Sequence, residues 1–432
     1  MENKEYILQN RLNTSKESTL FYKVFGLVVA GMMIDASDVY MSSAVNADII
    51  AQHFATLNQG SIFLSAGFLG LFIGSIAAGF IGDLWGRKKA YQLNLLLFGI
   101  FTFIGAFSPS IYFLIFFRFI AACGLGAEIV TGYSLINEFA PVKTRGRWSG
   151  ATAVIANLGA PLALLLATYF IPRYSWRSMF LFIGTAALIL WVIRRHFPES
   201  PRWLISKGKY AEAEKIISAL ELNGSYSDTS DHSAHQMQQS KNPNLKRGLF
   251  IATVAVSAVM ISQYTFTSWA PTLLIEKGIN IVHSLGYSMI MMTGAPVGAL
   301  IGALLVDWIG RKKTIIPTFV ISAILGLIYT QQTNPTTIIA IGFLLTMTFY
   351  ILMASVVGVY VSELFVTDFR FRGAGTANGI AKLLTVLTPY FATWAIQEFS
   401  ADLIFYLIAT IMLIAAIVVL LFGPETKQQE IR

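Results

Sequence analysis

The sequence predicts an all-α membrane protein with twelve transmembrane helices in two six-helix bundles, and three observations carry that expectation. Hydrophobic residues make up 55% of the 432 and charged residues only 12%, more apolar surface than a soluble protein of this size can hide. Mainly apolar segments of about 20 residues, the length a helix needs to cross hydrocarbon, recur along the chain. Motifs of the first half return in the second at a nearly constant spacing.

Taken in order, the spans lie near 21–46, 61–82, 88–107, 111–137, 148–171, 176–196, 247–271, 284–306, 313–331, 336–362, 373–397 and 401–422. Each is expected to be helical, because backbone amides in lipid must be satisfied within their own segment. The opening residues 1–20 are polar and mixed in charge, unlike a cleavable leader, so the first apolar segment is expected to stay and 1–20 to form a tail. Residues 21–196 and 247–422 are then the two bundles, and 423–432 a second tail. Between the bundles, 197–246 is a linker: "YAEAEKIISALEL" has the periodicity of a short amphipathic helix, and "NGSYSDTSDHSAHQMQQSKNPN" the composition of a flexible tether. His232 and His235 in that tether read as solvated loop and not as a metal site.

Of the 31 Lys and Arg, 26 fall on the side that holds both termini and the linker, and 3 (Arg173, Arg177, Lys277) on the other. The remaining 2, Arg118 and Lys382, lie inside spans. By the positive-inside rule both termini are expected to be cytoplasmic. The net charge of +8 is then a topology signal and not a nucleic-acid footprint. The single Cys123 excludes an internal disulfide and a cysteine-rich metal site. No nucleophile–base set, phosphate loop or metal cluster appears, so neither an enzyme nor a metal or cofactor is expected; "GLGAE" is a packing motif in an apolar run.

The repeat is specific. "GLFIGSIAAGFIGDLWGRKK" (70–89) aligns with "GAPVGALIGALLVDWIGRKK" (294–313) at an offset of 224, pairing Gly70 with Gly294, Gly74 with Gly298, Asp83 with Asp307 and Arg87 with Arg311. At 225, "EFAPVKTRGR" (138–147) meets "ELFVTDFRFR" (363–372), pairing Glu138 with Glu363 and Arg145 with Arg370. At 226, "PESPRW" (198–203) meets "PETK" (424–427). Two related six-helix halves around a midplane site are a transporter architecture. With these motifs the whole chain resembles the major facilitator superfamily: "GFIGDLWGRKK" looks like its loop signature after the second helix, with Leu84 in place of the usual basic residue. "RFIAACGLGAE", "EFAPVKTRGR" and "PESPRW" are similar to elements of its sugar-porter-like branch. The resemblance implies alternating access, with Asp83, Arg87, Glu138, Arg145, Asp307, Arg311, Glu363 and Arg370 as cytoplasmic gating charges. The alternative is that these charges only fix topology and anchor loops.

Charges that serve a shared scaffold should occur in both halves, yet Asp35, Asp38, Arg118, Glu128 and Lys382 correspond to Val259, Ser262, Phe343, Met353 and Asn157. An ionised group at bilayer depth costs at least ~2.5 kcal/mol, so unmatched charges need a partner or a cavity. Asp35 and Asp38 are three apart and are expected to share a helical face. The resemblance to sugar-porter-like proton symporters places Asp38 opposite Arg118, which makes Asp38 the expected proton carrier and Asp35 a second acid or a substrate ligand. A purely structural Asp38–Arg118 pair is the alternative, and Glu128 either tunes a cavity or faces a packing seam.

The branch resemblance suggests a sugar, but the seventh segment "AVMISQYTFTSWAPTLL" offers only Gln263, and Ala153 stands where a sugar-binding glutamine is expected. "QYTFTSWAPTLL" and "GTANGIAKLLTVLTPY" look more like bacterial metabolite:proton symporters, including carriers of organic anions, with Lys382 in place of a helix-eleven arginine. Lysine is a point charge without the bidentate fork. The expectation is a proton-coupled symporter of a small organic acid in a bacterial inner membrane, monomeric, with substrate, protons and lipid as its partners. Lys382 would attract the carboxylate. Tyr264, Trp269 and Tyr350 would supply walls with polar tips, and Asn157, Gln263 and Asn378 neutral polar groups; any one aromatic could instead face lipid. The rivals are a sugar, an organic cation held by Asp35 or Asp38 with Lys382 paired to Glu128, and a transporter-like nutrient sensor, against which the linker's lack of an output domain argues.

Overall fold

The computed structural model describes residues 2–15, 17–141, 144–221, 245–365 and 367–426. The tether with His232 and His235 lies outside the described residues, as do the side chains of Asp83 and Arg370. The first four spans are Thr19–Ala51, Leu57–Trp85, Arg87–Gly105 and Ile111–Phe139. The fifth is Arg145–Asn157 continued by Gly159–Tyr174, and the sixth is Arg177–Ile193 with a closing turn Arg194–His196. The seventh is Leu245–Glu276, the eighth Ile281–Met292 plus Gly294–Trp308, and the ninth Arg311–Thr330. The tenth runs Pro335–Leu352, then through a π-helical stretch, Met353–Tyr360, into Val361–Glu363. The eleventh is Thr367–Thr385 plus Thr388–Glu398, and the twelfth Asp402–Phe422. Eleven of these are long and apolar enough to cross a membrane. The third falls short because Arg87, Lys88, Lys89, Gln92 and Asn94 crowd its first two turns.

The breaks in the fifth, eighth and eleventh spans share one cause. Proline lacks the N–H that would bond the carbonyl four residues back. Pro161, Pro296 and Pro389 lie four residues after Asn157, Met292 and Thr385, where the three first segments end. All three broken spans line the seam between the bundles: the fifth packs on the eighth, the eleventh on the second, and the first on the seventh.

The sequence repeat is also a packing repeat. A Cβ at Gly74 would collide with the Cys123 carbonyl, and one at Gly298 with the Met347 carbonyl; both collisions lie at the offset of 224. Close backbone approach thus joins the second span to the fourth and the eighth to the tenth in the same way. Each loop motif turns at a glycine with positive φ, 97° at Gly86 and 115° at Gly310.

On the face that carries both termini, acids and bases pair by the same symmetry. Arg87 reaches Glu138 at 3.3 Å, and Arg311 reaches Glu363 at 2.7 Å. Glu199 accepts from the Lys88 amide at 3.0 Å; Glu425 accepts from the amides of Arg311 and Lys312 at 3.0 and 3.1 Å. A carboxylate therefore sits on the amino-terminal end of the third span and another on that of the ninth, where the helix dipole favours it. Asp307 lies 3.4 Å from Arg311, one turn away. Glu138, at the end of the fourth span, is thus held by Arg87 of the loop motif. Each tie lies within its own bundle.

Residues 1–20, expected as a tail, contain a helix, Glu2–Thr14. Its Leu8 and Leu12 are buried with Ile217 and Leu220 of the linker helix Tyr210–Glu221 and with Val24 of the first span. Arg11 bonds Glu221 at 2.5 and 3.0 Å. Just before the first span, Glu17 accepts from the Trp148 indole at 3.1 Å and the Thr144 hydroxyl at 2.8 Å. Those donors hold its carboxyl below the usual glutamate value.

Candidate functional site

The first span brings its polar residues to the seam and to the interior of its own bundle. Asp38 is fully buried and paired with Arg118 of the fourth span, whose side chain is 4% exposed. One Asp38 oxygen and the Arg118 Nε have no hydrogen-bond partner. Gly67 of the second span leaves room for the guanidinium. A narrow crevice lined by Val39, Ser42, Leu64, Phe68 and Ser268 reaches Arg118.

Two residues beyond Asp38, the Tyr40 hydroxyl meets the Tyr350 hydroxyl of the tenth span, and the Gln263 amide of the seventh donates to both, at 3.2 and 3.3 Å. This junction is buried and joins the two bundles. Nearby, Ser65 donates to the Val386 carbonyl at the break of the eleventh span, 2.8 Å, and Phe68 packs on Tyr264 with ring centres 5.2 Å apart. Trp269 is fully buried with its indole N–H unpartnered, as is the Gln263 carbonyl oxygen. Trp269 and Tyr350 therefore face the interior and not lipid. Lys382 is half-buried in the last turn before the eleventh-span break, and among the described contacts its ammonium has no hydrogen bond or ion pair. Asn378, one turn earlier, donates to the Ala374 carbonyl at 2.9 Å. Asn157 ends the first segment of the fifth span.

Asp35 and Asp38 diverge, although their spacing suggests a common face. Asp38 turns to Arg118, whereas Asp35 lies toward Glu128 and Arg194. Glu128 bonds Arg194 at 2.5 Å, and both are fully buried. In this structure Glu128 is taken by Arg194 within the amino-terminal bundle and not by Lys382. Arg194, Tyr40 and Ser65 are the residues that sequence reasoning missed. Arg194 lies in the last turn of the sixth apolar run and reads as one more basic residue at a membrane face, but at the offset of 226 it meets Leu420. That asymmetry was the available signal. Tyr40 repeats as Tyr264 at 224, so symmetry gave no reason to single it out.

Two six-helix bundles related by an internal repeat, meeting at a buried polar junction beside an ion pair, define a transporter of the major facilitator superfamily. The chain belongs to the family of sugar (and other) transporters, whose model matches residues 39–432. It is 33% identical to the inner membrane metabolite transport protein YdjE of Escherichia coli K12, over 97% of this chain and 96% of that relative. It is 27% identical to the niacin transporter NiaP of Acinetobacter baylyi, over 97% of this chain and 98% of NiaP. Among solved structures it superposes on the partially occluded, inward-open xylose transporter XylE from E. coli with a TM-score of 0.74. That match covers 96% of this chain and 100% of XylE at 19% identity, a likeness of fold. The protein is a multi-pass membrane transporter and not an enzyme.

Proposed function

We propose that the protein is a proton-coupled symporter of a small organic anion, working by alternating access, with both termini in the cytoplasm of a bacterium. The observation that carries this is the placement of Asp38: an unmatched acid, paired with an unmatched arginine, two residues from the junction that joins the bundles. Proton binding to Asp38 cancels its charge and frees Arg118 from it. The same turn of the first span holds Tyr40, so loosening the pair loosens the contact with Tyr350 and Gln263. The bundles can then rock about the seam, each braced internally by Arg87–Glu138 or Arg311–Glu363.

The ammonium of Lys382, unpaired among the described residues, supports an anionic cargo, since a half-buried cation without a counter-charge attracts a carboxylate. The likeness to a niacin transporter agrees, niacin being a pyridine carboxylate. The test is uptake into proteoliposomes under an inward proton gradient, with nicotinate, aromatic and aliphatic carboxylates, sugars and amines as the panel. A carboxylate should accumulate, and Lys382→Ala should abolish its uptake. Accumulation of an amine or a sugar that survives Lys382→Ala would overturn the assignment of charge.

A further inference from the structure

Within the amino-terminal bundle, on the side of Asp38 nearer the termini, a second set of charges is sealed from solvent. Asp35 is 1% exposed and neither of its oxygens has a hydrogen-bond partner. One turn earlier, Gly31 leaves the space that the Arg194 guanidinium and the Glu128 carboxylate occupy. Arg194 spends one nitrogen on Glu128 at 2.5 Å and another on the Leu27 carbonyl at 2.7 Å, with its guanidinium carbon 4.1 Å from the centre of the Tyr91 ring. The second Glu128 oxygen is unpartnered. Facing Asp35 are thus Glu128 from the fourth span, Arg194 from the end of the sixth and Asp38 from its own helix, with Tyr91 of the third span placing its ring against Arg194 and its hydroxyl toward Glu128. Asp38 has its own arginine, so among the described residues Arg194 alone serves Asp35 and Glu128.

Two acids and one base do not balance. With both carboxyl groups ionised the cluster would carry an uncompensated negative charge away from water, with both Asp35 oxygens lacking a donor, an arrangement that burial strongly disfavours. One proton removes the excess charge. We propose that Asp35, Glu128 and Arg194 form a second proton site, in which the two carboxyl groups share one exchangeable proton beside the guanidinium. The site is separate from Asp38, about 4.5 Å further along the helix by its three-residue rise. Its use in transport rests on the proton-coupled reading above, but its occupancy by a proton does not. A cycle that discharges both sites moves two protons.

The test needs no substrate. Full-length protein in lipid is measured by infrared spectroscopy at neutral pH for the carbonyl stretch of a protonated carboxyl group, as wild type minus variant. Asp35→Asn should remove one such band. Glu128→Gln should remove it too, because the remaining Asp35 then balances Arg194 and stays ionised. Asp38→Asn should leave it in place. A band that persists in Asp35→Asn means no proton is held there, and one that persists in Glu128→Gln means the proton is not shared; either result overturns the proposal. So does its loss in Asp38→Asn, which would assign the band to the other site. If Glu128→Gln does not fold, Asp35→Asn and Asp38→Asn still decide whether the proton belongs to this cluster. Failure of the symport reading would show separately, in the uptake of the Asp38 variant.

Discussion

Tyr40 and Tyr350 meet hydroxyl to hydroxyl across the seam between the bundles, with the Gln263 amide donating to both. Tyr40 is two residues from Asp38, so one turn of helix carries both the charge pair of one bundle and the contact with the other.

Tyr350→Phe keeps the ring and removes one hydroxyl from that junction. A buried hydrogen bond contributes a net 0.5–1.5 kcal/mol, roughly a two- to thirteen-fold shift between closed and open forms. Hydrogen–deuterium exchange of the peptide around Tyr40 should quicken by that factor, with the elution profile of the purified protein unchanged. Exchange as slow as in the wild type would mean the junction does not hold the seam.

Asp38→Asn cannot take up a proton but keeps the shape of the acid. Accumulation of the carboxylate under a pH gradient should fall to equilibration, while exchange of internal for external substrate, which needs no net proton movement, continues. Uphill accumulation by this variant would remove Asp38 from the coupling.

Gly74→Ala and Gly298→Ala should destabilise by similar amounts, because the two sites are one packing device used twice. Forcing a methyl group into such a contact costs about 1–3 kcal/mol. Thermal unfolding followed by size-exclusion chromatography should show both variants melting below the wild type, and a large gap between them would argue against equivalent packing.

Glu17 gives a pH dependence with a definite sign. Trp148 and Thr144 lower its carboxyl relative to the unfolded chain. Its contribution is therefore present above the ordinary glutamate value of roughly 4.3 and is lost as pH falls through the lower folded-state value. The stability difference between wild type and Glu17→Gln should be constant near neutrality and close as the pH drops below that range. A difference that widens on acidification would have the wrong sign.

The spans and the repeat are legible in the sequence because lipid imposes length and composition locally, and because glycine contacts and loop motifs recur in order. The N-terminal helix Glu2–Thr14 is not: its polar sequence hides the fact that Leu8 and Leu12 have a partner surface far along the chain in Ile217 and Leu220. Glu128 shows the same limit. Its lack of a twin marks it as unusual, but only the fold shows that Arg194 curls inward to meet it instead of joining the other basic residues at the membrane face.

Hydropathy, glycine spacing and repeat offsets are properties of the linear chain, and they suffice to mark this one as an internally repeated helical membrane protein and to show which charges break its symmetry. How those charges are shared out depends on the packing in three dimensions: Asp38 goes to Arg118, Asp35 and Glu128 to one arginine, and Lys382 to none among the described contacts. Three residues along a helix lift a side chain by about 4.5 Å and swing it away from its neighbour. Which partner waits at that height is set by helices distant in sequence.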